Sequence, residues 1–180
     1  MKHKSRFMWY GIFTIVLMIM TARAQQSDVP AKAVERIQKE VRHELVMLPF
    51  LTVFDNLAFK VDGYNVTLLG QVTNPTLKSD AEKAVKRIEG VEKVDNQIEV
   101  LSVSPYDDRL RRSLYHAIYD YPTLQRYAMP VLKPIRIIVN KGNVTLEGVV
   151  DNEGDKTIVG MRARGVPGSF SMTNNLVVAK

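Results

Sequence analysis

Apolar residues in the first half of the chain follow a helical period and then an alternating one. Within Val34–Leu48 they recur every three or four residues, which predicts an amphipathic helix that ends before Pro49. Within Leu57–Leu68 they alternate with polar residues on both sides of the Asp62-Gly63 pair, which predicts two strands joined by a tight turn. The expected order up to this point is helix, strand, strand.

A second helix and a third strand follow. Asn74-Pro75 opens a new helical pattern that runs to Ile88, and Gly90 is expected to cap its end. After Gly90 the apolar residues alternate again up to Val100, which predicts the third strand. Gly70 interrupts the second strand, where we expect a bulge or the close approach of a helix. Three strands with two helices on one face form a small α+β unit.

This pattern occurs twice in the chain. Asn65–Val72 returns as Asn143–Val150, and Asn96–Val100 returns as Asn174–Val178, in both cases 78 residues later. The Ser102–Pro105 stretch is the natural boundary and is too short for a long flexible linker, so we expect the two halves to lie close together. We name them unit 1, residues 28–103, and unit 2, residues 104–180.

Between these matches the two halves differ in the segment before the last strand. Gly90-Val91 is matched with Gly165-Val166, which requires a small compensating gap and extra residues before the last strand of unit 2. We interpret six glycines as structural: Gly63, Gly70, Gly90, Gly142, Gly148 and Gly165. The second helix of unit 2, about Glu153–Arg164, contains two further glycines, which lower its helix propensity.

The segments Val61–Val72 and Gly90–Val100 closely resemble the BON domain, and Asn143–Val150 with Asn174–Val178 resemble it again. The resemblance implies an α+β chain with two BON domains. Each would have the order α-β-β-α-β, with a small three-stranded mixed sheet and two helices packed on one face. It also implies an envelope protein of the osmotically inducible periplasmic type, with suspected phospholipid binding, no catalytic activity and no cofactor.

Residues 1–24 have the layout of a secretory signal peptide. Basic residues within Lys2–Arg6 precede the apolar run Trp9–Met20, and Ala22–Ala24 forms a small-x-small cleavage site. The alternative is an uncleaved membrane anchor, but about 12 apolar residues fall short of the roughly 20 that cross a bilayer. We therefore expect cleavage after Ala24 and a periplasmic or secreted protein, with N-terminal anchoring as the alternative.

The positive charge of the chain lies partly in this leader. The whole sequence has a formal net charge of +6, whereas residues 25–180 contain 21 Lys and Arg against 19 Asp and Glu, a net charge of +2. Nucleic acid as a partner is therefore disfavoured, because phosphate backbones require a strongly basic face. The remaining charge is uneven: unit 2 contains 11 basic and 7 acidic residues.

Signatures of catalysis and of metal binding are missing from the sequence. There is no cysteine, and His43 and His116 each lie on a predicted first helix without a second histidine at ligand spacing. The adjacent acids Asp107-Asp108 stand at a helix start, where we interpret them as helix caps rather than as paired catalytic carboxylates. We therefore expect no catalytic residues and no metal site.

One set of residues is suited to binding a membrane surface. With Leu110, Leu114 and Ile118 facing the core, the outward arc of the first helix of unit 2 holds five residues: Arg109, Arg112, Tyr115, His116 and Tyr119. Arginines beside tyrosine rings suit anionic phospholipid headgroups. In the alternative interpretation, the two tyrosines pack against the neighbouring unit or against a short Pro122–Met129 segment. The expected partner is an anionic phospholipid membrane, or else an envelope protein or a cell-wall polymer.

Overall fold

The computed structural model describes residues 30–179, so the proposed leader lies outside the described residues. Unit 1 contains α1 (Ala31–Val46), β1 (Asn56–Asp62), β2 (Asn65–Val72), α2 (Pro75–Lys86), β3 (Lys93–Asn96) and β4 (Glu99–Val100). Unit 2 contains α3 (Pro105–Tyr119), a 3₁₀ helix (Pro122–Tyr127), β5 (Ile135–Asn140), β6 (Asn143–Val150), α4 (Glu153–Arg164), β7 (Ser171–Asn174) and β8 (Val177–Val178). The α+β fold with two copies of α-β-β-α-β is confirmed.

Each unit has its own apolar core between its helices and its sheet. In unit 1, α1 presents Ile37, Val41 and Leu45 at intervals of four residues, and all three are buried against β2 and α2. The corresponding residues of α3 are Leu110, Leu114 and Ile118. Burying each such side chain stabilises the fold by about 1.5–3 kcal/mol, so these stripes fix how each helix lies on its sheet.

The central strand of each sheet pairs in both directions. In unit 1, β2 is antiparallel to β1 and parallel to both β3 and β4. β3 and β4 are pieces of one interrupted strand: the Asn96 side chain accepts a hydrogen bond from the Ile98 N–H at 3.2 Å, and Ile98 is buried in the core. Unit 2 repeats this interruption, with Asn174 accepting from the Leu176 N–H. Each unit therefore has a three-stranded mixed sheet.

The two units correspond without any gap from their second strands onward. β6, α4, β7 and β8 each begin 78 residues after β2, α2, β3 and β4. The predicted gap is therefore wrong, and so are the extra residues expected before the last strand. The counterpart of Gly90, at φ +85°, is Gly168, at φ +99°, whereas Gly165 ends α4 with φ −72°. In unit 1, α2 ends at Lys86, before the glycine that was expected to cap it.

Gly70 and Gly148 lie where β2 and β6 pass close to the neighbouring strand. Both have positive φ, +114° and +116°. A Cβ atom at Gly70 would overlap the carbonyl of Asn56, and one at Gly148 would overlap the carbonyl of Pro134. Neither alternative predicted at Gly70 is found: the register of β1 with β2 continues unbroken through Gly70, and the close neighbour is the backbone of β1 and not a helix. Gly63, Gly90 and Gly142 also have positive φ.

The start of α3 differs from the expectation. Ser104 is the N-cap, and its side chain accepts a hydrogen bond from the Asp107 N–H at 3.2 Å. Asp107 is buried, and its carboxylate accepts hydrogen bonds from the backbone N–H groups of Lys141 and Gly142 at 2.9 and 2.8 Å. The prediction that Asp107 caps the helix is therefore wrong. Its carboxylate instead fixes the β5–β6 turn against the helix.

Units 1 and 2 contact each other directly. The segment between α1 and β1 lies along the outer edge of β5, where the Ile137 N–H donates to the Val53 carbonyl at 2.9 Å. Beside it, the Arg136 guanidinium donates to the Thr52 carbonyl at 2.9 Å. Val53 and Phe54 of unit 1 also pack against the core of unit 2. Unit 1 thus supplies both a backbone hydrogen bond and apolar side chains to unit 2.

Candidate binding surface on the first helix of unit 2

The five residues predicted on the outward arc of α3 have different environments. Arg109, Arg112 and His116 are exposed, Tyr115 is half-buried, and Tyr119 is only 2% exposed. Placing Tyr119 on the outward arc was therefore wrong. The physical reason is that the arc predicted as outward includes a stripe that faces the outer edge of β5.

The two tyrosines form part of the contact between helix, sheet and unit 1. The Tyr119 hydroxyl donates to the Ile135 carbonyl at 2.5 Å, and its ring centroid lies 4.9 Å from that of Tyr115. The Tyr115 ring in turn packs edge-on against Phe54 of unit 1, with the centroids 6.4 Å apart. The alternative interpretation, in which tyrosines pack against the neighbouring unit, thus describes Tyr115.

We expect Tyr119→Phe to lower the free energy of unfolding by about 1–2 kcal/mol, because the Ile135 carbonyl loses its buried donor. Burial raises the pKa of the Tyr119 hydroxyl well above its ordinary value of 10. The stabilisation that the Tyr119 hydroxyl provides is therefore complete below pH 10, and it is lost as the pH rises towards the pKa of this hydroxyl in the folded state. Urea unfolding from pH 8 to 11 measures this, and the variant should lose less stability across that range than the native protein. Equal losses in both proteins would contradict the assignment.

Sequence reasoning missed Arg111, which completes the same stripe. Arg111 is buried, and its guanidinium donates to the Val139 carbonyl and to the Asp108 carboxylate, both at 2.6 Å. It precedes Tyr115 by four residues and Tyr119 by eight, and this spacing was the signal that could have placed it on the same face. These three residues contact β5 or unit 1, so they do not form a free surface.

The two exposed arginines of α3 have no carboxylate partner among the described residues. Neither Arg109 nor Arg112 takes part in an ion pair with any residue between 30 and 179. His116 contacts Asp120 through Nδ1 at 2.8 Å. On α1 of unit 1, the Arg36 guanidinium is paired with Glu40 at 2.8 Å, whereas the exposed Arg42 takes part in no ion pair within residues 30–179. The second unit therefore presents two uncompensated positive charges on one helix face.

An aromatic pair that the sequence analysis missed lies next to these cations. The Tyr106 ring stacks on Phe170 with a centroid separation of 6.0 Å, and Phe170 is 76% exposed. The Tyr106 hydroxyl donates to the Gly168 carbonyl. Tyr106, Arg109 and Gly168 border a hollow of about 270 Å³. The available signal was the spacing of three residues between Tyr106 and Arg109, which places both on one helical face.

Unit 2 also contains a hydrogen-bonded cluster around one buried carboxylate, that of Asp155. The Asp155 carboxylate accepts hydrogen bonds from Arg126, from the Tyr127 hydroxyl at 2.6 Å and from the Asn152 amide at 2.9 Å. Burial, and secondarily the hydrogen bond to Asp155, raises the pKa of Tyr127. Because these groups bind one another, the cluster fixes the 3₁₀ helix to the start of α4.

Two further observations concern the described residues alone. Between residues 30 and 179, His, Asp and Glu side chains do not gather in groups of three or more that could hold a metal ion. Within the same range, the helices are too short or too polar to cross a bilayer.

Two solved structures resemble the chain weakly. One is CdsD, a structural protein of the type III secretion system of Chlamydia trachomatis, at 12% identity and a TM-score of 0.31, covering 81% of this chain and 94% of that one. Another is the C-terminal domain of the same protein, at 12% identity and a TM-score of 0.33, covering 79% of this chain and 96% of that one. No curated protein matches the chain.

The comparison with protein families is specific. The model of the BON domain matches the chain twice, at residues 33–102 and 107–180. The first match spans α1 to β4, and the second spans α3 to β8, so each match contains all the helices and strands of one unit apart from a few terminal residues. The chain therefore belongs to the BON family, with two BON domains in tandem.

Proposed function

We propose that this protein is a non-enzymatic periplasmic protein that binds anionic phospholipid at a membrane surface and serves in envelope maintenance or in osmotic stress. The binding surface is the exposed part of α3, made by Arg109, Arg112 and His116. The observation that carries this proposal is that both arginines are exposed and unpaired within residues 30–179. A basic residue at an anionic membrane surface contributes about 1 kcal/mol to binding.

The aromatic pair beside Arg109 supports the same surface. Aromatic rings lie favourably at the level of the headgroups, where their apolar body and polar edge are both accommodated. Phe170 and Tyr106 take this position in place of the buried Tyr119. The membership of the chain in the BON family, a family of binding domains, agrees with this role.

Co-sedimentation with vesicles of phosphatidylglycerol and phosphatidylcholine tests the proposal. The protein should begin at Gln25, which keeps every described element and removes the apolar leader, which could itself bind lipid. We expect binding at low salt that weakens as salt is added. Arg109→Glu combined with Arg112→Glu should reduce the partition coefficient more than tenfold, because both contributions become repulsive.

A matched control separates the α3 surface from net charge. Lys32→Glu combined with Lys39→Glu makes the same change in charge on exposed positions of α1. This variant should bind vesicles nearly as well as the native protein. If the native protein does not sediment with anionic vesicles at low salt, the proposal is wrong. Equal losses in the two double variants would also contradict it, since net charge alone would then explain binding.

A further inference from the structure

The outer edges of the two sheets differ in how their backbone groups are satisfied. Along β5 of unit 2, the Tyr119 hydroxyl donates to the Ile135 carbonyl, and Arg111 donates to the Val139 carbonyl. Between them, the Ile137 N–H donates to Val53 of unit 1. At each of these three positions of β5, one outward-facing backbone group therefore has a partner.

Among the described residues, the matching edge of β1 in unit 1 lacks these partners. Leu57, Phe59 and Val61 take the places of the three β5 residues, since Leu57 pairs with Gly70 just as Ile135 pairs with Gly148. The Phe59 N–H thus points outward, like that of Ile137. Within residues 30–179, no hydrogen bond from another element reaches Leu57–Val61 on this side. An edge strand in this condition can pair with another chain.

The helix above β1 also differs from its counterpart. Aligning the buried stripes of α1 and α3 places Gln38, Arg42 and Val46 where unit 2 has Arg111, Tyr115 and Tyr119. In unit 1 this leaves a groove of about 450 Å³, lined by Gln38, Arg42 and the strand from Leu57 to Val61. In unit 2, Val53 and Phe54 of unit 1 occupy the same side of the sheet.

The lining of this groove indicates the chemistry of its occupant. Leu57, Phe59 and Val61 are apolar, and the Arg42 guanidinium lies 5.9 Å from the centroid of the Phe59 ring. Arg42 and Lys60 are the cations of the lining, which contains no carboxylate. An extended segment with alternating apolar residues and acidic neighbours complements both features.

We propose that the groove between α1 and the outer edge of β1 binds an extended acidic segment of a partner protein, which adds to the sheet of unit 1 as a further strand. Unit 2 provides the precedent, since a segment outside its own sheet accepts a hydrogen bond from its edge strand through a carbonyl and packs apolar side chains against its core. This site is separate from the phospholipid surface of α3 and does not depend on it.

Amide hydrogen exchange of the free protein tests the open edge. The Phe59 amide should exchange much faster than the Ile137 amide, because only the latter has an acceptor. Equal protection of the two amides would overturn the proposal.

Binding is then tested with a blocked ten-residue peptide in which valine alternates with threonine and glutamate. In amide NMR spectra it should shift Leu57–Val61 and slow exchange at Phe59, while Ile137 stays unchanged. The same peptide methylated on alternate backbone nitrogens keeps its side chains but loses donors, so it should not bind. If the amide resonances of β1 do not move when the peptide is added, or if the methylated peptide binds equally well, the proposal is overturned.

Charge variants complete the test. Arg42→Glu combined with Lys60→Glu should weaken binding of the acidic peptide about tenfold and allow binding of a peptide with lysine in place of glutamate. Lys93→Glu combined with Lys141→Glu, at exposed positions away from the groove, should change neither the affinity for the acidic peptide nor that for the lysine peptide. Equal weakening by both pairs would overturn the assignment to this groove. Vesicle binding is measured without peptide, so failure of one proposal is distinguishable from failure of the other.

Discussion

Replacing Gly148 with alanine is expected to lower the free energy of unfolding by more than about 3 kcal/mol. Two effects add at this position. Its φ of +116° is strongly unfavourable for a residue with a side chain. A Cβ atom would also overlap the Pro134 carbonyl, which belongs to backbone and cannot rotate away. Separating the strands to make room would break the pairing of β5 with β6, on which the core of unit 2 rests.

Urea unfolding followed by circular dichroism measures this effect, and Gly165→Ala is the matched control. Gly165 has φ −72°, and the nearest atom to an added Cβ would lie 3.5 Å away. Alanine there should be neutral or should stabilise the protein by up to about 1 kcal/mol. A Gly148→Ala protein with native stability would show that the strand spacing at this position is not what the structure describes.

Replacing Asp55 with alanine is expected to lower the free energy of unfolding by about 3–5 kcal/mol. Asp55 is fully buried. Its carboxylate accepts four hydrogen bonds, from the backbone N–H and the hydroxyl of Thr52 and from the same two groups of Thr73, at 2.5 to 2.8 Å. Removing the carboxylate leaves four donors without an acceptor. It also releases the segment whose carbonyls at Thr52 and Val53 bind unit 2.

Two further variants separate the carboxylate from side-chain size and from general charge. Asp55→Asn keeps the size but places an amide N–H₂ against donors, so it should also destabilise the protein by more than 1 kcal/mol. Asp62→Ala removes an exposed aspartate and should change stability by less than about 0.5 kcal/mol. Thermal unfolding of the three variants gives the comparison, and native stability of Asp55→Asn would contradict the hydrogen-bonding role.

The sequence predicted most of the fold because apolar period and turn residues are local signals. The helical spacing of Ile37, Val41 and Leu45 depends only on neighbouring residues, and so does the tight turn, which was predicted at Asp62-Gly63 and lies one residue later, at Gly63-Tyr64. The match of Gly90 with Gly165 failed because two short glycine motifs looked alike. The constant spacing of the flanking strands, which selects Gly168, was the more reliable guide.

The surface of α3 was harder to predict because it depends on contacts between distant segments. A helical projection places Tyr119 outside the stripe of Leu110, Leu114 and Ile118, yet a second element covers that side of the helix. Nothing in the helix itself indicates that Phe54 of unit 1 approaches Tyr115. Phe170 was missed for the same reason, since it lies 64 positions after Tyr106 in the sequence.

The hydrogen bond from Ile137 to Val53 has a consequence for the order in which the molecule matures during synthesis. The segment around Val53 leaves the ribosome before β5 exists, so the amino-terminal half is ready when the later edge strand appears. The two edge strands also differ at a matched position, since β5 buries Ile138 where its counterpart in β1, Lys60, is exposed. The two halves of the repeat are therefore not interchangeable, because within residues 30–179 only β5 has a segment of the other half along its outer edge.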